Sequence, residues 1–564
     1  MKRLTLFYIF LLFSALTLTA QPKYEVRAVW LTVLGNLDWP SGSLLDGKDA
    51  AAQQQELVDI LDRLKAINVN TVLLHTRIRA TTIYPSDIEP WAPYLSGRSG
   101  VSPGYDALQF AIDECHKRGM ELHAWVVTIP IGKWNSYGCQ ELRRRYPSMV
   151  KRIGEEGYLN PEVAKTADYL ADICKEITRR YDIDGIHLDY IRYPETWKGR
   201  KQAHHITRIV ERIHSSIKYY KPWVKLSCSP IGKYDDLSRY SSRGWNARTR
   251  VAQDAQEWMR RGLMDQLYPM MYFAGNNFMP FAIDWQDYSY GRTIVSGLGT
   301  YMLHPNERNW PLTEVKRQLA VCRQIGIGHC HFRAKFLLNN VKGIYDYMCH
   351  FDSHPALIPP MTWAQSLVPD APTTLWVNRT REGDELLWSG AHDRSDGDYL
   401  LYNIYASTDE WVDVNNPANL VATRCMDRFL TIPRKAQQPA LHYAVTALDR
   451  YGNESSPVFE PGTHAFAAAE NSSAKAFRAT FPSERNPQLI PTNGKTLAVP
   501  QQPLDARLLT ISDMQGRVVY TCLNKPHINI AHLAEGMYVL RSLGKKNTSH
   551  KLGYFIIRKQ KHGK

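Results

Sequence analysis

The run Asp182-Ile183-Asp184-Gly185-Ile186-His187-Leu188-Asp189-Tyr190-Ile191-Arg192-Tyr193-Pro194 ends an apolar, β-branched stretch with a carboxylate, between a glycine and a proline. That pattern predicts a buried strand over 185–192 that delivers Asp189 to a sheet edge. His187 and Asp189 are two apart, so they share a face of the strand and form a polar pair that could hold and tune a proton. A lone strand-end Asp also serves as a turn cap or an ion-pair partner, here of Arg192. The elements around it decide between these roles.

The same strand, loop and helix unit recurs along the chain. Apolar runs predict strands at 26–33, 69–78, 121–128, 185–192, 224–231, 265–273, 293–302 and 328–334, and helical spacing appears at 53–67, 107–118, 162–181, 203–219, 249–261 and 312–325. Near-continuous apolar strands alternating with helices predict a closed parallel (β/α)8 TIM barrel within residues 21–355. Residues just after each strand converge on one face of such a barrel. Here they are Trp39, Arg77, Arg79, Trp125, Thr128, Asp189, Arg192, Tyr193, Ser229, Tyr272, His304 and Arg333, a polar and aromatic set.

Composition narrows the function classes. Lys2 and Arg3 precede an apolar run over 4–18 that ends before Gln21, the layout of a secretory signal peptide over 1–20, so the mature chain is expected to be exported. Nine Cys without a CxxC pair argue against a disulfide scaffold and a zinc cluster. The net charge of +14 comes from dispersed Lys and Arg, which makes nucleic acid a poor partner. Fifteen Trp and thirty-one Tyr are more telling, because aromatic faces stack on sugar rings.

Past a proline-spaced linker at 356–371, residues 372–465 read as short alternating strands with a buried Trp388, a β-sandwich. The stretch from Tyr443 to Ser455 resembles a fibronectin type III module. Residues 466–498 read as a second linker, and 499–564 as a small C-terminal β-sandwich. With Asp513-Met514-Gln515-Gly516-Arg517 and Leu533-Ala534-Glu535-Gly536-Met537-Tyr538, that last segment resembles the sorting domains of the type IX secretion system, which implies outer-membrane secretion machinery as a partner.

No GxGxxG follows a strand, and no P-loop, HExxH or GxSxG occurs, so no cofactor or metal is expected. Histidines 75, 123, 187, 329 and 331 all fall on barrel strands. Five blocks then carry a resemblance: Glu25-Val-Arg-Ala-Val-Trp-Leu; Asn36-Leu-Asp-Trp-Pro40; Tyr84 to Trp91 with Leu95 to Gly100; His116-Lys-Arg-Gly-Met-Glu-Leu-His-Ala-Trp125; and the Asp184 stretch. Together they resemble the bacterial glycosyl hydrolase-like 10 family. The resemblance implies a TIM-barrel enzyme of the cell envelope acting on glycans, with members that cut peptidoglycan strands stripped of their peptides. It also implies two adjacent acids on the fourth strand, where this chain has Asp189-Tyr190. The strand resembles the DxxDxDxE segment of chitinase-like barrels too, but lacks the final glutamate, which limits that likeness to barrel geometry.

Glycoside hydrolysis ordinarily needs two carboxyl groups, ~5–5.5 Å apart for retention and ~6.5–9.5 Å for inversion. Asp189 is the first. Glu89, Glu307 and Asp284 are the alternatives for the second, with Glu89 preferred. Arg77 and Arg192 would hold Asp189 ionised or bind substrate. Trp39, Trp91, Trp125, Tyr193 and Tyr272 are the expected sugar platforms, and His123 and His187 further substrate contacts. The reading is a hydrolase of amino-sugar glycans; a catalytically inactive glycan-binding protein and a hydrolase of dietary or host polysaccharide are its alternatives.

Overall fold

The computed structural model describes residues 21–461, apart from 239, 241, 396, 398 and 435–438, and residues 490–557, apart from 491, 493, 494, 501–507, 514–517, 524, 532, 535 and 544–548. The expected leader, most of the second linker and residues 514–517 of the stretch that resembles a sorting domain lie outside them. The chain divides into two units, Met1–His464 and Ala465–Lys564.

The first unit begins with eight parallel strands: β1 (Arg27–Leu31), β2 (Thr71–Ile78), β3 (Glu121–Val127), β4 (Gly185–Asp189), β5 (Lys225–Cys228), β6 (Gln266–Leu267), β7 (Thr293–Leu298) and β8 (Gly328–His331). Each pairs with its sequence neighbour, and β1 pairs with both β2 and β8, so the sheet closes on itself. Helices that alternate with the strands are α1 (Ala50–Ala66), α2 (Ala107–Lys117), α3 (Ala164–Arg180), α4 (Ala203–Tyr220), α5 (Ala255–Arg260), α6 (Phe278–Asp287), α7 (Leu312–Ile325) and α8 (Ile344–Phe351). The (β/α)8 barrel expected from the apolar runs is the observed fold.

Alternation along each strand divides its side chains between two cores. In β4, Ile186 and Leu188 join the layer packed against the helices, while His187 and Asp189 point into the barrel. The interior layer comprises Ala28, Trp30, Leu73, Trp125, Tyr268, Val295 and Cys330. On the outside, α4 buries Ile206, Ile209, Val210, Ile213 and Ile217, the spacing of one helix face. Each such side chain contributes roughly 1.5–3 kcal/mol. The Asp106 carboxylate caps α2 by accepting from the Leu108 and Gln109 amides, both at 3.1 Å. Six of the nine cysteines are buried as thiols.

Two departures from the expected elements matter later. Residues 278–287 form helix α6, so Asp284 is a buried helical residue rather than a loop acid. The long connection between β3 and α3 holds a helix (Tyr137–Arg145) and an antiparallel sheet of Pro130–Lys133, Val150–Ile153 and Glu156–Leu159.

In the same unit, Leu375–Arg379, Gly383–Trp388 and Phe429–Pro433 form one antiparallel sheet, and Leu420–Cys425, Leu401–Ser407, His442–Leu448 and Val458–Phe459 another. Their inner faces share a core of Leu386, Trp388, Ile404, Tyr443 and Val445. This sandwich closes against the N-terminal end of the barrel. Gly119 (φ +66°) ends α2 where an added Cβ would lie 2.1 Å from the Thr423 carbonyl oxygen. Arg424 donates to Glu121 at 3.0 Å and to Asp184 at 2.5 Å.

The second unit has a four-stranded antiparallel sheet in the order Val518–Leu523, Leu508–Asp513, Gly536–Leu543, Ser549–Ile557. Thr496–Ala498, within the stretch expected as linker, pairs with His527–Asn529. Among the described residues no helix is long and apolar enough to cross a membrane.

Candidate functional site

At the C-terminal ends of the strands lies a cleft of about 710 Å³. Asp189, 7% exposed, ends β4 at its wall. Three donors hold the carboxylate: the Tyr190 amide and the Ser229 hydroxyl reach Oδ1, both at 2.7 Å, and the Trp125 indole N–H reaches Oδ2 at 3.1 Å. The Thr128 amide and hydroxyl fix the Asp189 carbonyl oxygen, each at 2.9 Å. A carboxylate presented by donors alone suits the part of base, nucleophile or stabiliser of positive charge.

Trp125 lies flat on His75, with ring centroids 3.7 Å apart and planes 6° from parallel. His75 Nδ1 faces the Thr32 hydroxyl at 2.7 Å. Burial, with Arg79 adding to it, pushes the His75 pKa down to about 3, so its ring is neutral. Tyr272, Tyr301, Phe332 and Phe336 form an aromatic side of the cleft, with Tyr272 and Phe332 centroids 5.7 Å apart.

The structure brings Asp189, Trp125, Arg192, Tyr272 and Glu307 of the expected set together in this cleft. It places the others elsewhere. Glu89 is buried and bound by Arg77 at 2.9 and 2.6 Å and by the Tyr169 hydroxyl at 2.7 Å. Arg77 also donates to the Thr128 carbonyl at 2.8 Å, so this pair braces the wall without lining it. Asp284 accepts from Gln256 at 3.0 Å. His187 is not paired with Asp189: it accepts from the Trp30 indole at 3.3 Å and meets the Ser227 hydroxyl at 2.9 Å, one layer deeper. His123 contacts Glu121 at 3.0 Å, toward the opposite end of the barrel. Trp39 is fully buried and donates to the Gln53 carbonyl at 2.7 Å. Tyr193 packs edge-on to Trp197 at 5.1 Å, and half-buried Trp91 sits beside Thr82, both outside the cleft lining.

Two groups escaped the sequence reading. Glu156 and Tyr158, from the inserted sheet after β3, line the cleft. Glu156 is half-buried, Glu307 is exposed, and neither carboxylate accepts a hydrogen bond or makes an ion pair among the described residues. The one usable signal for Glu156 was the alternation of 150–159 around Gly154.

At the other end of the barrel, Glu25, His329 and Asp352 come within metal-ligand spacing, their donor atoms within 4.8 Å of one another. Arg27 and Arg323 already bridge the two carboxylates, Arg27 at 2.8 and 3.3 Å and Arg323 at 2.8 and 2.6 Å. Two guanidiniums match that negative charge, so the site does not suit a divalent cation.

The glycosyl hydrolase-like 10 sequence profile matches residues 25–203 and 195–293. The glycosyl hydrolase YngK of Bacillus subtilis is 30% identical over 408 residues, covering 65% of this chain and 79% of its own. The glycosyl hydrolase DigH of Escherichia coli strain K12 is 30% identical over 294 residues, covering 45% of this chain and 67% of its own. Among solved structures, the alpha-L-fucosidase isoenzyme 2 from Paenibacillus thiaminolyticus aligns at a TM-score of 0.40 and 10% identity, over 94% of this chain and 98% of its own. With residues 25–293 of the barrel matched and most of YngK covered at 30% identity, this chain belongs to the glycosyl hydrolase-like 10 family.

Proposed function

We propose that this chain is an exported glycoside hydrolase acting on amino-sugar glycans such as peptide-free peptidoglycan strands. The observation that carries the reading is Asp189, held by three donors at the wall of an aromatic-lined cleft. Asp189 acts as base or nucleophile, and a cleft carboxyl, Glu156 or Glu307, acts as proton donor to the leaving oxygen. Trp125, Tyr272 and Phe332 offer apolar faces to sugar rings. The leader-like residues 1–20 support export, and the sorting-domain resemblance of 499–564 supports passage through the outer membrane.

The test is to incubate the chain from Gln21 onward with peptide-free strands, intact sacculi, chitin and plant glucans, and to separate products by mass. Muro-oligosaccharides released from stripped strands, and their loss in Asp189→Asn with folding intact, are the expected results. Turnover retained in Asp189→Asn sinks the assignment.

The second reading is a glycan-binding envelope protein without catalysis. It is favoured by Glu89, the preferred second acid, being committed to Arg77 and Tyr169. It predicts saturable binding to glycan strands with no new reducing ends.

A further inference from the structure

Tyr190 follows Asp189 directly, and its backbone stands at φ +52°. L-residues reach that left-handed region at a cost, and a bulky aromatic there is uncommon. The Tyr190 N–H donates to Asp189 Oδ1 at 2.7 Å. Its side chain is 39% exposed and lines the cleft beside Asp189 and Arg192.

Arg192 packs on that ring. Its guanidinium carbon lies 4.2 Å from the ring centroid, and the residue is only 4% exposed. Arg192 gives one Nη2 hydrogen bond to Glu195 at 3.1 Å, while Nε and Nη1 have no hydrogen-bond partner among the described residues. The cation is thus shared between the Glu195 carboxylate and the aromatic face.

On the reading of the cleft as a glycan site, we propose that Tyr190 is a substrate-positioning residue, its ring the platform for the sugar bound against Asp189 and its backbone N–H a support of that carboxylate. Burial and the Asp189 charge push the phenol pKa up, against an opposing effect of Arg192, so the hydroxyl stays protonated at neutral pH and donates to a sugar oxygen. The ring and the carboxylate line the same cleft, one residue apart.

Tyr190→Gly and Tyr190→Phe test this in the full chain. Glycine is at ease at φ +52° and keeps the N–H, so the Gly variant should fold with an unchanged or higher Tm. Its kcat/KM on peptide-stripped peptidoglycan strands should fall about tenfold or more, chiefly through KM, with affinity for the strands down in step. The Phe variant should retain most of the affinity. A Gly variant with wild-type kcat/KM and affinity overturns the proposal. Wild-type protein that binds the strands without cutting them removes the hydrolase reading alone; the Gly variant's affinity then decides Tyr190, a tenfold loss supporting it and no change overturning it. Wild-type protein that neither binds nor cuts them overturns both.

Discussion

The Trp125 indole nitrogen lies 3.1 Å from Asp189 Oδ2, which makes one tryptophan both a wall of the cleft and a ligand of its central carboxylate. Trp125→Phe keeps an aromatic ring over His75 but removes the indole donor and part of the buried bulk. A hydrogen bond to a charged group is worth about 1.5–3 kcal/mol, so kcat in the folded fraction should fall about tenfold to hundredfold, with Tm lowered by the lost packing. Kinetics that match the wild type would mean the indole serves packing alone.

The three glutamates separate by what surrounds them. Glu156→Gln and Glu307→Gln remove cleft carboxyls that have no partner among the described residues, and the one that acts as proton donor should lose about 10²–10⁴ in kcat. Glu89→Gln leaves the Arg77 guanidinium buried without its counter-charge and should cost about 3–5 kcal/mol of stability, with kcat kept in the folded fraction. Chemical denaturation and initial rates on the three variants check this together. Full activity in both cleft variants would remove each from the mechanism.

The barrel was legible because its strands are apolar on both faces and its helices carry a 3.6-residue period. Helix α6 was missed because Pro280 in its first turn and its mostly apolar sequence blur the amphipathic signal. The site was legible only where the chemistry sits at a strand end, as with Asp189, Trp125 and Arg192. Residue type says that Trp39 and Glu89 can bind sugar or move a proton. Whether they face the cleft depends on partners distant in sequence, the Gln53 carbonyl and Tyr169. Glu156 arrives on a sheet inserted in a long connection, where strand periodicity over four residues is too short to stand out.

Three barrel histidines make stability depend on pH before any carboxylate titrates. Burial drives the pKa of His75 and of His331 down to about 3, and that of His187 well below its usual value. Unfolded histidine takes a proton as pH falls through ~6.5, while the folded rings stay neutral. The stabilisation is therefore complete above that pH and is lost as pH falls, at about 1.4 kcal/mol per pH unit for each ring. Urea midpoints at pH 7, 6 and 5 should drop steadily, and His331→Gln should lessen the slope by one ring's share. Midpoints indifferent to pH over that range would show that these rings do not stay neutral.

Strand β4 ties its two ends to different tasks, with Asp189 in the cleft and Asp184, just before the strand, anchoring the sandwich. Asp184 meets Arg424 at 2.5 Å, His116 at 2.8 Å and Arg450 at 3.7 Å, and also accepts from the Leu122 amide at 3.0 Å. Glu121 meets Lys225 at 2.7 Å and Arg424 and His123, both at 3.0 Å. These cations overcome burial and hold the Glu121 pKa down to about 2 and that of Asp184 well below its usual value. For a depressed carboxyl, the stability gained is full above its unfolded pKa of ~4 and is lost as pH falls toward the folded value. Arg424→Met removes the one cation that touches both acids among the described residues and should cost about 3–5 kcal/mol at neutral pH. It should also let the folded pKa values rise, moving acid unfolding to higher pH. Barrel and sandwich should unfold in a single transition in the wild type, because neither keeps its buried charges matched alone. A Met variant as stable as the wild type, with the same acid midpoint, would mean that the sandwich is a spacer the barrel does not need.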